Sequence, residues 1–477
     1  MFKKDLISLN DLFKNYIFRI PDYQRGYSWT KAQLIDFWED LVNLDIDKTH
    51  YTGMLTIKIL DKKSIKDSPE WIDESWLFAD SDYEVCYVID GQQRLTTSII
   101  LINEILSQVK DDESFSAFNR TYDDFYRHFI VETKKGMESR KCYKFGYMSD
   151  ENSFNFLKTD IFGHIGKEST ESYYTHNMIY AKSFFAEKLL EYKEQGKSYE
   201  TLFKKLIGYF KFNVFPIDDD FEDVIAFETM NNRGKRLSTL EILKNRLIYI
   251  ASIIEMSDGD RSSLRKKINR AWSEIYRQLG KDPEHLLDDD EYLRDHWILY
   301  YHEYSSRKGY DFASRLLNDH FSLRFTEGYI SVEEPDDNSM PDITAESQEA
   351  EYDTESGEPD FQDVKPVKKH GLTNVDIEKY VESIENLAKY WFYIHEPSEK
   401  KGIIDERMVF EINRINRAGV NYFKPLLMAC LSSNEEMDTK VELLKEIEKF
   451  IFIYFRLSQN NAGSYKNKFY TLSSNLY

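Results

Sequence analysis

The 477-residue sequence has little of what disulfide-rich, metal-binding or membrane proteins need. Its three cysteines, Cys86, Cys142 and Cys430, lie far apart without metal-ligand spacing, which argues against a disulfide framework or a zinc site. No apolar run reaches the roughly 18 residues of a membrane span, and the N-terminus lacks the apolar core of a signal peptide. We therefore expect a cytoplasmic protein with no membrane partner.

Positive charge is also scarce, because the formal net charge is −21. This balance argues against a broadly basic nucleic-acid binder. The acidic residues are unevenly placed: residues 329–364 contain thirteen Asp and Glu and no Lys or Arg. The remainder is only mildly acidic, so a local basic groove elsewhere stays compatible with the composition. The acidic stretch, about 329–369, is poor in large apolar residues and is predicted to be a flexible loop.

The hydrophobic patterns predict an α+β protein, and the length of 477 residues allows two or three domains. The first covers 1–250, with strands expected at 16–20, 51–60, 85–89 and 206–217 and a helical insertion at about 110–205. The second covers 251–477 and is expected to be almost entirely helical. Its predicted helices are 261–279, 290–304, 311–321, 373–395, 405–432 and 437–457.

The most informative stretch is YVIDGQQRLTT, residues 87–97. A short apolar strand ends at Asp90 and Gly91, and an amphipathic helix follows, which predicts a strand, a tight turn and a helix. Such a helix start points unpaired N–H groups and the positive end of its dipole at an anion. Arg94 in the first turn suits a phosphate. The alternative is structural: Asp90 caps the helix and Gln93 completes a capping box.

Two further polar clusters interrupt the regular pattern. In the first, Arg25 lies next to Gln24 and among the aromatic residues Tyr23, Tyr27 and Trp29, where it suits a nucleobase or phosphate. The alternative is an aromatic corner with Arg25 extended into solvent. The second, the run Asn232, Arg233 and Gly234, suits either a ligand-binding turn or a helix C-cap with a solvated arginine.

Two less distinctive groups lie close to the last cluster in sequence. Lys244 and Asn245 are interpreted as the polar face of a helix. Asp218 to Asp220, with Glu222, suit either a divalent cation or a solvated turn. The second interpretation is the commoner one for such an acidic run.

Three segments occur in the order IPDYQRGYSW, VIDGQQRLTT and FETMNNRGKRLSTLEILKN, over about residues 8 to 250. Together they resemble the N-terminal domain of the GmrSD family of modification-dependent restriction endonucleases, which is similar in fold to the ParB/sulfiredoxin superfamily. The resemblance implies an α+β domain with a small mixed sheet. It also implies binding and hydrolysis of a nucleoside triphosphate, such as GTP or ATP, with Mg²⁺ as the expected cofactor.

The resemblance assigns roles residue by residue. Asp90, Gln93 and Arg94 are expected to be catalytic, with Asp90 also the metal ligand. The expected nucleotide-binding residues are Tyr23, Gln24, Arg25, Gly91, Gln92, Asn232, Arg233 and Gly234. Sulfiredoxin-like chemistry is disfavoured, because it needs a reactive cysteine and Cys86 is predicted to be a buried core residue.

The sequence also departs from the family pattern. Fused members carry a C-terminal HNH nuclease domain with a His-x-x-Pro motif, which none of the ten histidines forms. A truncated chain, a split system with a separate nuclease subunit and a different effector all stay open, as does a homo-oligomer. The leading hypothesis is a nucleotide-hydrolysing sensor or regulatory component of an anti-phage restriction system acting on modified phage DNA. The alternatives are a non-catalytic subunit that regulates a separate nuclease, and a phosphotransferase.

Overall fold

The computed structural model describes most of the chain. The described residues are 6–46, 48–68, 70–79, 81–112, 115–134, 136–148, 151–167, 169–217, 237–302, 311–322, 326–327, 368–369, 371–398, 404–419, 421–460 and 465–477. Two sequence clusters, Asp218 to Glu222 and Asn232 to Gly234, therefore lie outside the described residues, as does nearly all of the acidic stretch.

Short strands and longer helices build the chain in the α+β arrangement that the sequence predicts. The strands are β1 (Ile7–Ser8), β2 (Tyr16–Ile20), β3 (His50–Ile59), β4 (Glu84–Asp90), β5 (Val131–Lys134), β6 (Met137–Tyr143), β7 (Phe145–Tyr147), β8 (Phe210–Ile217), β9 (Thr326–Glu327) and β10 (Lys368–Lys369). Six of them form one mixed sheet in the order β1, β8, β3, β4, β2, β7. β5 and β6 form a separate antiparallel hairpin.

The register of the sheet brings two of the predicted clusters together. β2 and β4 are parallel neighbours, with Phe18 opposite Cys86, and parallel neighbours end at the same edge of a sheet. The turn after β4 and the segment after β2 therefore emerge side by side. β3 lies antiparallel on the other side of β4, with Thr56 opposite Asp90 and a register shift between Thr56 and Ile57.

Helices cover the sheet in the N-terminal half. They are α1 (Leu9–Asn15), α2 (Lys31–Asn43), α3 (Lys62–Ile65), α4 (Gln92–Val109), α5 (Tyr122–Phe129), α6 (Glu151–Phe156), α7 (Tyr173–Glu194) and α8 (Tyr199–Lys204). Thr30 is the N-cap residue of α2, and the helix buries one apolar face. α4 is buried over most of its length because α5, α7 and α8 pack against it.

The second half is almost entirely helical, as expected. Its helices are α9 (Thr239–Ile253), α10 (Asp258–Leu279), α11 (Asp289–Tyr301), α12 (Phe312–Arg315), α13 (Asn374–His395), α14 (Glu406–Ala418), α15 (Lys424–Ser432), α16 (Met437–Phe450) and α17 (Lys466–Leu476). They share a core that also takes in a few N-terminal residues, among them Tyr23, Ile89 and Tyr174. Among the described helices, none is both long and apolar enough to cross a bilayer.

Two predicted elements need correction, and one helix was missed. The single helix expected over 405–432 is broken, because Gly419 takes a left-handed conformation (φ 71°) that ends α14. The strand expected from Leu206 begins only at Phe210, since Lys205–Tyr209 forms a π-helical turn. α17 lies in a segment where no helix was predicted.

Candidate functional site

The turn between β4 and α4 has the predicted strand, turn and helix, but a different cap. Gly91, not Asp90, is the N-cap residue, with φ 93°, and no side chain caps the first turn. A Cβ atom at Gly91 would lie 2.9 Å from the main-chain oxygen of Met54, so glycine suits both the conformation and the space. The structural alternative of a capping box is therefore wrong. Asp90 instead pairs with Arg94, at 3.8 Å.

Arg94 fastens the start of α4 to strand β3. Its Nη1 donates to the oxygen of Thr52 (2.9 Å) and its Nη2 to the oxygen of Met54 (3.1 Å). Gly53 lies between these residues with φ 127°, and a Cβ there would lie 1.5 Å from Nη1. The guanidinium of Arg94 is thus held by main-chain oxygens, although about a quarter of the side chain, 26%, remains exposed.

Two glutamines, one from each motif, join the turn to the segment that follows β2. Gln93 accepts a hydrogen bond from the N–H of Ser28 (2.8 Å) and donates to the oxygen of Gly26 (3.0 Å). In return, Gln24 donates through Nε2 to the oxygens of Val88 (2.6 Å) and Ile89 (2.8 Å). These contacts explain why two polar motifs can lie beside an apolar strand.

The remaining amide oxygens of the two motifs are less well satisfied. Because a carbonyl oxygen can only accept, the two bonds to β4 fix which end of the Gln24 amide is Nε2. Its Oε1, like Oε1 of Gln92, is buried without a hydrogen-bond partner among the described residues. A buried acceptor left in this state costs about 1–3 kcal/mol, so both atoms favour an additional donor at the site.

Arg25 is buried, not extended into solvent as the alternative interpretation had it. Its Nη1 lies 3.6 Å from Oε2 of Glu241 on α9, and Tyr174 donates to the other oxygen of that carboxylate at 3.1 Å. Burial raises the pKa of Glu241, and the charge of Arg25 offsets part of that rise. Gly26 lies directly against the Tyr174 ring, where a Cβ would come within 2.3 Å.

Asp22 connects the same segment to helix α10. Arg265 binds its carboxylate through both Nε (2.6 Å) and Nη2, and Asn269 donates to it at 2.8 Å. Lys244 donates to its main-chain oxygen at 2.5 Å. Burial alone would raise the pKa of Asp22, but the hydrogen bond and charge of Arg265 outweigh it and hold the pKa below its usual value. The segment after β2 is therefore anchored to both halves of the chain.

A large cleft of about 2300 Å³ opens between the N-terminal half and helices α9, α10 and α13. Tyr23, Gln24 and Arg25 line it, as do Asp22 and Lys244. Its cationic lining residues are Arg19, Arg25, Arg140, Lys141, Lys158, Lys167, Lys244, Arg261, Arg265, Lys266, Arg270, Arg277 and Lys389. Its acidic lining residues are Asp22, Glu70, Asp73, Glu74, Glu241, Asp258, Glu274 and Glu385.

The predicted site residues thus fall into three groups. Tyr23, Gln24 and Arg25 line the cleft, whereas Asp90 to Arg94 lie at the neighbouring turn and do not line it. Asn232, Arg233 and Gly234 lie outside the described residues, so their expected role stays a prediction. Lys244 and Asn245 were misinterpreted as a polar helix face: Lys244 lines the cleft and Asn245 is buried.

Several cleft residues were missed in the sequence. Asp22 belongs to the segment IPDYQRGYSW, so its position beside Tyr23 was a usable signal. Arg140, Lys158 and Lys266 come from separate segments, and no local pattern connects them. The prediction for Cys86 is confirmed, since this residue is buried and burial raises the pKa of its thiol; a reactive thiolate at the turn is disfavoured.

The mixed sheet and the polar turn at the end of β4 define an α+β domain whose candidate site lies where two parallel strands end. The family model described as GmrSD restriction endonuclease, N-terminal domain, matches residues 9–248, about half of the chain. The chain belongs to this family. Membership associates it with a DNA restriction system. The chain has no significant match among curated proteins.

Proposed function

We propose that this chain binds and hydrolyses a nucleoside triphosphate as the regulatory component of a DNA restriction system. The observation that carries the proposal is the pair of Asp90 and Arg94 at the start of α4. Their side chains lie 3.8 Å apart and are 25% and 26% exposed. A carboxylate and a guanidinium at a helix N-terminus are the groups that position a phosphate and its attacking water.

The main chain of the turn adds to this arrangement. The first helical hydrogen bond of α4 runs from the N–H of Leu95 to the oxygen of Gly91, at 3.1 Å. The N–H groups before Leu95 point out of the helix end, where the helix dipole favours an anion. In the proposed mechanism these groups bind phosphate oxygens, Asp90 orients the attacking water, and Arg94 balances the phosphate charge.

The expected metal fits the residues at the turn. Mg²⁺ is commonly held by one or two carboxylates, with phosphate and water oxygens completing its shell, and Asp90 offers one partly exposed carboxylate. Bound Mg²⁺ would neutralise phosphate charge. Gln93 acts differently in the proposal: its amide is hydrogen-bonded at both ends to residues 26–28, so it positions the neighbouring segment instead of the substrate.

The test uses the purified full chain with Mg²⁺ and each of ATP, GTP, CTP and UTP. Equilibrium dialysis measures binding, and free phosphate measures turnover. We expect binding and turnover of at least one triphosphate. A chain that neither binds nor hydrolyses any of the four would refute the proposal.

One observation favours a second function, a non-catalytic nucleotide-binding subunit that regulates a separate nuclease. Gln93 and both Nη atoms of Arg94 are already engaged with the chain's own main chain, which suits a binding switch better than a phosphoryl-transfer centre. A triphosphate that binds and is recovered intact after long incubation would favour this function over hydrolysis.

A further inference from the structure

The lining of the cleft is positive although the whole chain carries a net charge of −21. Thirteen Lys and Arg line it against eight Asp and Glu. Six of the eight carboxylates are paired with an arginine of the same cleft, as Asp22 is with Arg265. These pairs neutralise one another, so the lining formed by the described residues keeps an excess of positive charge.

The first cationic wall comes from the N-terminal half. Arg140 and Lys141 belong to strand β6, and Lys158 and Lys167 follow α6 in sequence. Arg140, Lys141 and Lys167 are exposed, and within the described part of the chain they form no ion pair with a carboxylate. Exposed cations that are not neutralised by the protein are available to an anionic ligand.

The second wall comes from the helical half. Lys266 projects from α10 and Lys389 from α13. Neither forms an ion pair with a carboxylate among the residues that the structure describes. Lys244 on α9 lies deeper, where its ammonium donates to the main chain at Asp22. Lys266 and Lys389 on one wall and Arg140, Lys141 and Lys167 on the other thus place positive charge on both sides of one opening.

We propose that this cleft binds the phosphate backbone of a DNA segment, with one cationic wall supplied by each half of the chain. Its volume of about 2300 Å³ exceeds the roughly 300–1,000 Å³ of ordinary small-molecule pockets, which favours a polymer over a single nucleotide. Lysine and arginine side chains that replace condensed counterions supply most sequence-independent DNA affinity. The choice of DNA among polyanions rests on the restriction role proposed above.

The binding mode makes the two walls interdependent. A backbone held from both sides loses contacts when either wall is neutralised, so each wall is expected to contribute to affinity and to its salt dependence. Because Arg25 and Gln24 line the same cleft and Gln24 is bonded to β4, bound DNA would lie next to the proposed nucleotide site.

The test is fluorescence anisotropy of a labelled DNA duplex of random sequence with the full chain, without nucleotide, across a range of salt concentrations. Two double variants neutralise one wall each: Arg140→Ala with Lys141→Ala, and Lys266→Ala with Lys389→Ala. Each is expected to weaken binding about tenfold and to reduce the slope of log affinity against log salt by about 2. The matched control, Arg417→Ala with Lys445→Ala, removes two exposed cations outside the cleft and is expected to bind like the wild type.

Three outcomes would overturn the proposal: no DNA binding at low salt, an equal loss of affinity in the cleft and control variants, or equal competition by an acidic polypeptide. Omitting nucleotide separates this test from that of the proposed function. A chain that hydrolyses nucleotide but shows no wall-dependent DNA binding would refute only the cleft assignment. The converse result would refute hydrolysis alone.

Discussion

The β4/α4 turn and the cleft beside it use the same kinds of side chain in opposite ways. At the turn, the side chains of Gln93 and Arg94 form hydrogen bonds with main-chain groups of neighbouring segments. Across the cleft walls, Arg140 and Lys266 remain exposed. A conspicuous arginine in a motif can thus fasten neighbouring segments of the fold, while lysines and arginines scattered along the sequence form the more accessible positive surface.

The largest expected loss of stability follows from breaking a structural ion pair of the cleft, as opposed to removing an accessible charge there. Arg19 is buried and bound to Glu74, so Glu74→Ala leaves an uncompensated charge and is expected to cost about 3–5 kcal/mol of unfolding free energy. Denaturant unfolding measures this. The control is Asp73→Ala, which removes the neighbouring exposed carboxylate of the same cleft; equal losses in both variants would contradict a structural role for Arg19.

The second prediction concerns how the turn is fastened. Gly53→Ala places a Cβ where the Arg94 guanidinium lies and adds a strained φ, so we expect a loss of about 2–4 kcal/mol in unfolding free energy. Gly136→Ala is the matched control, because Gly136 also has a positive φ (76°) but open space around it. Similar losses would mean that backbone strain, not Arg94, sets the cost.

The third prediction is a pH dependence at Asp22. Burial raises the pKa of Asp22, but Arg265 more than offsets this and holds the folded-state pKa low. The stabilising contribution of the ionised carboxylate is therefore fully present above the unfolded-state pKa of about 3.9. It disappears as the pH falls through the folded-state pKa. Asp22→Asn should therefore cost about 2 kcal/mol at pH 7 and progressively less below about pH 4. Denaturant unfolding at several pH values checks this, with Asp73→Asn as control; a cost independent of pH would contradict it.

The smallest effect on stability is expected when the accessible cations of the cleft walls are removed. The wall variants that replace Lys266 and Lys389, or Arg140 and Lys141, should leave the melting temperature within about 1 °C of the wild type. These side chains form no ion pairs within the described part of the chain. A melting temperature lowered as much as in Glu74→Ala would show that they hold the fold, and would remove the contrast between turn and cleft.

Local patterns predicted the local structure well. Apolar spacing located β2, β4 and α4, and the three ordered segments identified the family. The cap was mispredicted because Asp90 and Gln93 fit a capping box in sequence, whereas the left-handed Gly91 takes that position. The role of Arg94 could not be predicted, since its partners lie about 40 residues away on β3.

The cleft could not be predicted from the sequence for a related reason. Its cations come from β6, the region after α6, α9, α10 and α13, and only the fold brings them together. The net charge of −21 conceals them further. The expected contributions of Asn232, Arg233 and Gly234 remain predictions, since these residues lie outside the described part of the chain.

Phosphate release by Asp90→Asn tests the assignment of the β4/α4 turn as the catalytic site most directly. The matched control is Asp123→Asn, which changes an exposed first-turn carboxylate of α5. Asn keeps the shape of Asp90 while removing its charge, so folding, followed by melting temperature, should be preserved. If Asp90 orients the attacking water, Asp90→Asn lowers triphosphate turnover at least about 100-fold while the control retains wild-type turnover. Wild-type turnover in a folded Asp90→Asn protein would contradict the assignment of the β4/α4 turn as the catalytic site.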